Sequence, residues 1–170
     1  MKTALPFLAL ALLLSMLACD DEPDSLRIKR LVDAAVGHAE AGRIGELMDL
    51  CAGDFNAHGA DKRRIRRILF GYLAGRRGAK ILHPNYEIRI TEPGLAWVRF
   101  PFAFVKGEAL KDAKATKADQ DSASWVERWA DRARLMRVTL NVREDDGEWL
   151  LTAGRVERFT GLAFKEIQGL

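Results

Sequence analysis

The chain has 170 residues, 48% of them hydrophobic and 30% charged. This balance suits one globular domain with a real core and excludes a disordered chain or a polytopic membrane protein. Its formal net charge of +3 drops by one, to +2, when Lys2 leaves with a leader, too small an excess for the basic footprint of a nucleic-acid binder.

Residues 1–18 open with Met1 and Lys2 and continue as an uncharged run from Thr3 to Ala18 dominated by Leu and Ala. One lysine before a short apolar stretch is the pattern of a cleaved export signal. The run, with Pro6 near its start, is marginal for crossing about 30 Å of hydrocarbon. The segment Met16-Leu17-Ala18-Cys19 resembles the lipobox of bacterial lipoproteins, although Met16 and Leu17 are less usual at their places. That resemblance implies cleavage before Cys19, lipid on the Cys19 thiol, a tether over residues 19–25 and a domain over residues 26–170. An ordinary secretory signal and an uncleaved anchor are the alternatives. The expected place is the bacterial cell envelope, lipid-anchored and periplasm-facing. Asp20 resembles the inner-membrane retention signal of enteric lipoproteins, with the outer membrane as the other destination. Full acylation exceeds the two signals that stable anchoring needs, so membrane attachment requires no basic patch. The sequence has two cysteines, and acylation of Cys19 leaves Cys51 alone in an oxidising compartment. A buried structural Cys51 is favoured over a nucleophile.

Helical spacing of apolar residues runs from Leu26 through Ile28, Leu31, Val32, Ala35, Val36 and Ala39 to Ala41, with Gly42 as its stop. A second short helix is expected over 44–51, with Ile44, Leu47, Met48 and Cys51 on one side. Ala52 to Phe55 breaks the periodicity. Asp61 is placed to cap a third helix from Lys62 to Leu73, whose buried stripe is Ile65, Ile68, Leu69, Tyr72 and Leu73.

Beyond Gly78 the period becomes two. Tyr86, Ile88 and Ile90 alternate with polar residues as a half-buried strand, and Pro93-Gly94 supplies a turn. Leu95 to Val105 is a strand with Ala96, Val98, Phe100, Phe102 and Phe104 on one face; Pro101, which cannot donate to a ladder, marks a bulge or an edge. Residues 107–123 read as an exposed loop. A long strand follows, from Trp125 or Trp129 to Arg143, with Met136, Val138, Leu140 and Val142 on one face. Asp145-Asp146-Gly147 signals a hairpin, and Trp149 to Phe159 returns with Trp149, Leu151 and Ala153 on one side. Thr160 to Leu170 reads as a loose tail or one helical turn.

Helices followed by antiparallel strands describe an α+β fold. Helix, short helix, the Gly53-Asp54-Phe55 junction, helix, then strands ending in Asp146-Gly147-Glu148-Trp149 resemble the nuclear transport factor 2-like (cystatin-like) superfamily over Leu26 to Phe159. The resemblance implies a cone in which three N-terminal helices pack on a curved, mostly antiparallel sheet and leave a cavity open at one end. It also implies a homodimer through the outer sheet face.

Enzymes of the ketosteroid-isomerase and SnoaL type in that superfamily place an acid or base after the second helix, where this chain has Asp54-Phe55-Asn56-Ala57-His58-Gly59-Ala60-Asp61. His58 is the one residue there with an ordinary pKa suited to proton transfer. A structural or exposed His58 is nevertheless favoured over a catalytic one, and the first helix offers His38 where the isomerases carry a tyrosine. Tyr86, Trp97, Phe100, Phe102, Trp125, Trp129 and Trp149 match the wall of the cone, and Tyr86, Trp97, Phe100, Phe102 and Trp129 are taken as candidate ligand-binding residues. The basic run Lys62, Arg63, Arg64, Arg66 and Arg67, with Arg76, Arg77 and Lys80, is read as a solvated helix face in preference to a site for anionic lipid. His38, His58 and His83 are too scattered for a metal, and no cofactor motif occurs. The expectation is a membrane-tethered lipoprotein whose non-catalytic domain binds a small apolar ligand or an envelope protein, with an isomerase-type enzyme as the alternative. Cys19→Ser should leave the protein without acyl mass, and detergent phase separation should move it into the aqueous phase. A wild-type chain already aqueous, with an unmodified Cys19, contradicts the lipoprotein reading.

Overall fold

The computed structural model describes residues 22–74, 78–106, 126, 129, 134–161 and 163–166. Helix α1 (Asp24–Ala41) buries Ile28, Leu31, Val32 and Ala35, one stripe at helical spacing. Pro23 opens it, its carbonyl accepting from the Leu26 amide at 2.8 Å. The helix therefore claims Asp24 and Ser25 from the expected tether, and Leu26 is 49% exposed instead of joining the stripe. Gly42, at φ +68°, closes α1 in the left-handed conformation, with the Arg43 amide reaching the His38 carbonyl at 2.9 Å. The start of α1 is tied to the far end of the sheet. Arg27 donates to Glu144 at 2.9 Å and to the Gly147 carbonyl, and Trp149 Nε1 donates to Asp24 at 3.3 Å.

Helix α2 (Ile44–Asp49) ends before Cys51, which opens strand β1 (Cys51–Ala57). The expected helical Cys51 and the break over Ala52 to Phe55 are thus corrected to a strand, and Asp54 sits within it. Gly, Asp and Asn have little strand propensity; the pairing partner makes this strand, not the local residues. A turn at His58-Gly59, at φ +50° and +76°, leads to strand β2 (Ala60–Asp61). Asp61 then caps helix α3 (Lys62–Ala74), accepting from the Arg64 amide at 2.7 Å.

Strands β3 (Lys80–Leu82), β4 (Glu87–Glu92), β5 (Leu95–Val105), β6 (Leu135–Asp145), β7 (Glu148–Phe159) and β8 (Phe164–Glu166) complete one sheet of order β2-β1-β7-β6-β5-β3, with β4 also on β5 and β8 on β7. All pairings are antiparallel except β1 with β7. Pro101 stands in unbroken register with Arg137 on β6; on its other side it falls between the stretches of β5 paired with β4 and with β3. It marks a local edge, and no ladder bond is lost there. The long strand begins at Leu135, so Trp129 is not part of it; Val126 and Trp129 are helical. Trp125 and the expected loop over 107–123 lie outside the described residues. The tail is also corrected, because Phe164–Glu166 pairs with Glu157–Phe159.

The β6–β7 turn is the expected one, with Asp146 and Gly147 both at positive φ. Past it, Val142 faces Leu151 but Asn141 faces Ala153, which leaves Thr152 as an extra residue in β7. Its hydroxyl donates to the Asn141 carbonyl at 3.2 Å. This bulge reverses the facing of β7. Trp149 and Leu151 point into the core, and after the bulge Gly154, Val156 and Arg158 line the interior in place of the expected Ala153.

The main core joins α1, α2, α3 and β1 to the inner faces of β5, β6 and β7. Ile28 is fully buried there. Ile28→Ala should destabilise the fold by about 2–5 kcal/mol, whereas Leu26→Ala should stay within about 0.5 kcal/mol. Urea unfolding followed by circular dichroism measures both, and equal effects would contradict the stripe.

Candidate functional site

A cavity of about 330 Å³ lies between the helices and the inner sheet face, within the ~300–1,000 Å³ range of small-molecule sites. Its wall is apolar side chains from α1, α2, α3, β1, β5, β6 and β7. The polar side chains in it are His58, Tyr72, Arg134 and Arg158, with Cys51 as a thiol, and no carboxylate lines it among the described residues. Gly154 forms part of the wall facing Phe55 and Leu140. A Cβ built there would stand 3.6 Å from each, in ordinary van der Waals contact.

His58 reaches this wall from the β1–β2 turn. Its Nε2 accepts the Val156 amide at 2.9 Å, so that nitrogen bears no hydrogen and its lone pair serves the backbone of β7. The ring secures the turn to the strand, which is a structural use of the residue. Cys51 is 4% exposed, and burial pushes its thiol up to about 11. Its Sγ donates to the Leu47 carbonyl at 3.6 Å, the environment of an inert thiol.

The expected aromatic residues part company. Phe100 and Phe102 line the cavity, and Phe104, next in the same alternation, extends them. Their rings follow one another at 6.3 and 5.7 Å. Tyr86 packs on Phe100 at 4.8 Å outside the cavity. Trp97 lies on the other face of β5, flanked by the Arg89 and Arg99 guanidiniums at 5.3 and 4.9 Å from its ring. Trp129, 2% exposed, belongs to a second cluster with Ala103, Val105 and Leu135. Trp149 closes the hairpin end of the main core.

Tyr86 has its own polar setting. Its hydroxyl donates to Asp33 at 2.6 Å, and His83 stacks on its ring at 4.8 Å. Burial and the bond to Asp33 hold the phenol far above its usual range. Burial pushes the Asp33 carboxyl up, but hydrogen bonds from Lys29 and Tyr86 outweigh it and leave the group below 3.8. Sequence reasoning missed Asp33 and Lys29, which helical spacing places on the polar side of α1. It also missed Arg158, because Trp149 and Leu151 set an odd parity that the strand abandons. The signal for the change is present in Val156, an apolar residue on the even parity.

The outer sheet face carries ion pairs beside the apolar patch of Ala103, Val105 and Leu135 that packs with Trp129. Arg99 pairs with Glu87 at 3.0 Å, Arg137 with Glu157 at 2.7 Å, and Arg143 with Asp54 at 3.1 Å. No group of His, Cys, Asp and Glu suited to a metal ion occurs among the described residues, and none of their helices is long and apolar enough to cross a membrane.

No family model and no curated protein matches the chain. Solved structures do. An NTF2-like protein with a cystatin-like fold from Novosphingobium aromaticivorans aligns at TM-score 0.58 and 15% identity, covering 96% of this chain and 95% of that one. A protein of unknown function with a cystatin-like fold from Nostoc punctiforme aligns at TM-score 0.58 and 18% identity, covering 82% and 93%. A protein provisionally named a scytalone dehydratase, also from N. aromaticivorans, aligns at TM-score 0.57 and 16% identity, covering 86% and 95%.

The Asp33 carboxylate gives a pH test. Its folded pKa is depressed, so below 3.8 the unfolded chain holds more protons, and the stability this group adds is complete above that value and lost as pH falls through its folded one. Tyr86→Phe removes one of the bonds responsible and should flatten the change in stability on acidification below pH 3.8. Urea midpoints over that range with the same pH dependence as wild type would contradict the assignment. With these particulars in place, the architecture is the cystatin-like, nuclear transport factor 2-like fold, in which helices pack on a curved, mostly antiparallel sheet.

Proposed function

We propose that the chain is a membrane-tethered exported lipoprotein, acylated at Cys19, whose domain binds a small apolar ligand inside the cone. The single observation that carries the binding reading is the cavity itself, open space lined almost wholly by aliphatic and aromatic side chains. An unfilled apolar volume sacrifices packing contacts that folding would otherwise gain. A fold that keeps one gains the contacts back when an apolar molecule enters.

The wall gives catalysis little to work with. Proton transfer needs a group whose lone pair or proton is available to a substrate. His58 Nε2 is engaged by the Val156 amide, and the Cys51 thiol is held protonated by burial. The isomerase-type reading keeps one support, the His58 ring in the wall. The outer sheet face, with its ion pairs and with its apolar residues Ala103, Val105 and Leu135 already buried beside Trp129, favours a pocketed domain over one that dimerises through that face, since large exposed apolar patches mark such interfaces. Envelope placement, with Asp20 as an inner-membrane signal, follows from the leader and belongs to this proposal.

The test is entry into the cavity. N-phenyl-1-naphthylamine should fluoresce on binding the protein, and Val138→Trp, which fills the wall opposite Phe100, should weaken binding by at least roughly tenfold, the scale of excluding an aromatic ring worth ~1.5–3 kcal/mol of burial. Equal binding by a folded Val138→Trp protein would overturn the cavity reading.

A further inference from the structure

The cavity has a direction, which the sheet register fixes. Its inner residues step along β6 from Leu140 through Val138 and Met136 to Arg134, and along β7 from Gly154 through Val156 to Arg158. Leu140 faces Gly154, Val138 faces Val156 and Met136 faces Arg158. On the other side Val98, Phe100 and Phe102 face Leu140, Val138 and Met136, so Phe104 stands beside Arg134 just past the last pair, Ala103 with Leu135. The six residue steps from Leu140 to Arg134 span roughly 20 Å at about 3.3 Å each. One end of this path is buried aliphatic wall. The other carries two exposed guanidiniums, Arg134 and Arg158, with the Tyr72 hydroxyl 3.6 Å from Met136 Sδ across from them.

Neither arginine makes an ion pair among the described residues, although the arginines of β6 do: Arg137 with Glu157 and Arg143 with Asp54. Those pairs lie on the outer face. The bulge at Thr152 produces the division, because it turns Arg158 inward and Glu157 outward. Without it, a carboxylate would stand at the mouth of the cavity. Two guanidiniums that border an apolar cavity and have no ion-pair partner among the described residues are matched by a molecule with an anionic head and an apolar body. The planar forks bind carboxylate or phosphate in water at the rim, where no burial cost is imposed on the charges.

From this geometry we infer that the ligand is a single-chain anionic amphiphile, its alkyl chain along the Phe100, Phe102 and Phe104 ladder and its head at Arg134 and Arg158. The inference rests on the apolar-ligand reading above and adds the charge of the head. The path from Leu140 to Arg134 has room for a medium-length alkyl chain.

Photo-crosslinking of the full-length protein in nanodiscs tests it, with diazirine-bearing dodecanoic acid, dodecyl phosphate and dodecanol as probes and adducts mapped by peptide mass spectrometry. Dodecanoic acid or dodecyl phosphate should label the peptides of α3 and β5 that line the cavity roughly tenfold more than dodecanol. The double variant Arg134→Gln, Arg158→Gln should erase that preference, and Arg134→Lys, Arg158→Lys should restore part of it. A preference for the acid over the phosphate, or the reverse, identifies the head group. Equal cavity labelling by all three probes, unchanged in the double variant, would overturn the anionic head and leave the apolar-ligand reading standing. Absence of cavity labelling by every probe would overturn both.

Discussion

One extra residue in β7 decides how this molecule is organised. Before Thr152 the strand must bury Trp149 and Leu151 against α1 and the end of α2; after it, the strand must present Gly154 to Phe55 and Arg158 to the cavity mouth. A regular strand cannot do both, because its side chains alternate without exception. The bulge reverses the alternation, and the Thr152 hydroxyl, bonded to the Asn141 carbonyl, answers for a backbone acceptor near the shift. The same place absorbs the mismatch with β1, whose register against β7 also shifts between Cys51 and Asn56. Curvature, cavity and charge segregation therefore have a common origin.

The helices hold the curved sheet open without filling it. Arg27 and Asp24 fasten the start of α1 to the β6–β7 hairpin, and Glu40 near its end binds the Ile81 amide at 2.7 Å and Lys80 at 2.9 Å. One helix thus bridges the hairpin end of the sheet and its β3 edge. The exposed ion pairs in these clamps contribute little each. Glu40 does more, since it satisfies a backbone N–H at the sheet edge as well as an ammonium. The apolar faces of α2 and α3 then close the sides, with Ile44, Leu47, Met48 and Ile65 buried.

Much of the fold was legible in the sequence, for identifiable reasons. Helix α1 ends where Gly42 allows the left-handed conformation, α3 starts where Asp61 can cap it, and β5 has the expected bounds because its alternation is uninterrupted. The parts that were not legible are those defined by a distant partner. Strand β1 has residues that favour turns, and its pairing with β7, joined at the end by β2, extends them. Phe164–Glu166 is a strand because Phe164 packs on Phe159 at 5.1 Å and Arg137 sits over its ring at 4.5 Å. For the site, period-two reasoning found Phe100 and Phe102 on the inner face. It had no means to separate Tyr86 and Trp129, equally aromatic, from the cavity wall, because their places depend on Asp33 and on a second cluster of residues distant in sequence.

The two ends of the long strands have opposite characters, and this bears on the lipoprotein reading. Glu144, Gly147 and Asp24 cluster at the hairpin end, from which α1 leads back toward Cys19, whereas Arg134 and Arg158 lie at the other end of β6 and β7. Ten residue steps separate Glu144 from Arg134, roughly 33 Å of strand. The five residue steps from Cys19 to Asp24 reach at most about 18 Å when extended. On the proposed reading, an acylated Cys19 would hold the hairpin end near the bilayer. Leu95, beside that hairpin, and Leu26 in the first turn of α1 are exposed there, at 39% and 49%. On the proposed lipoprotein reading, Leu26 and Leu95 would stand toward lipid and the two guanidiniums of Arg134 and Arg158 toward water, away from the bilayer surface.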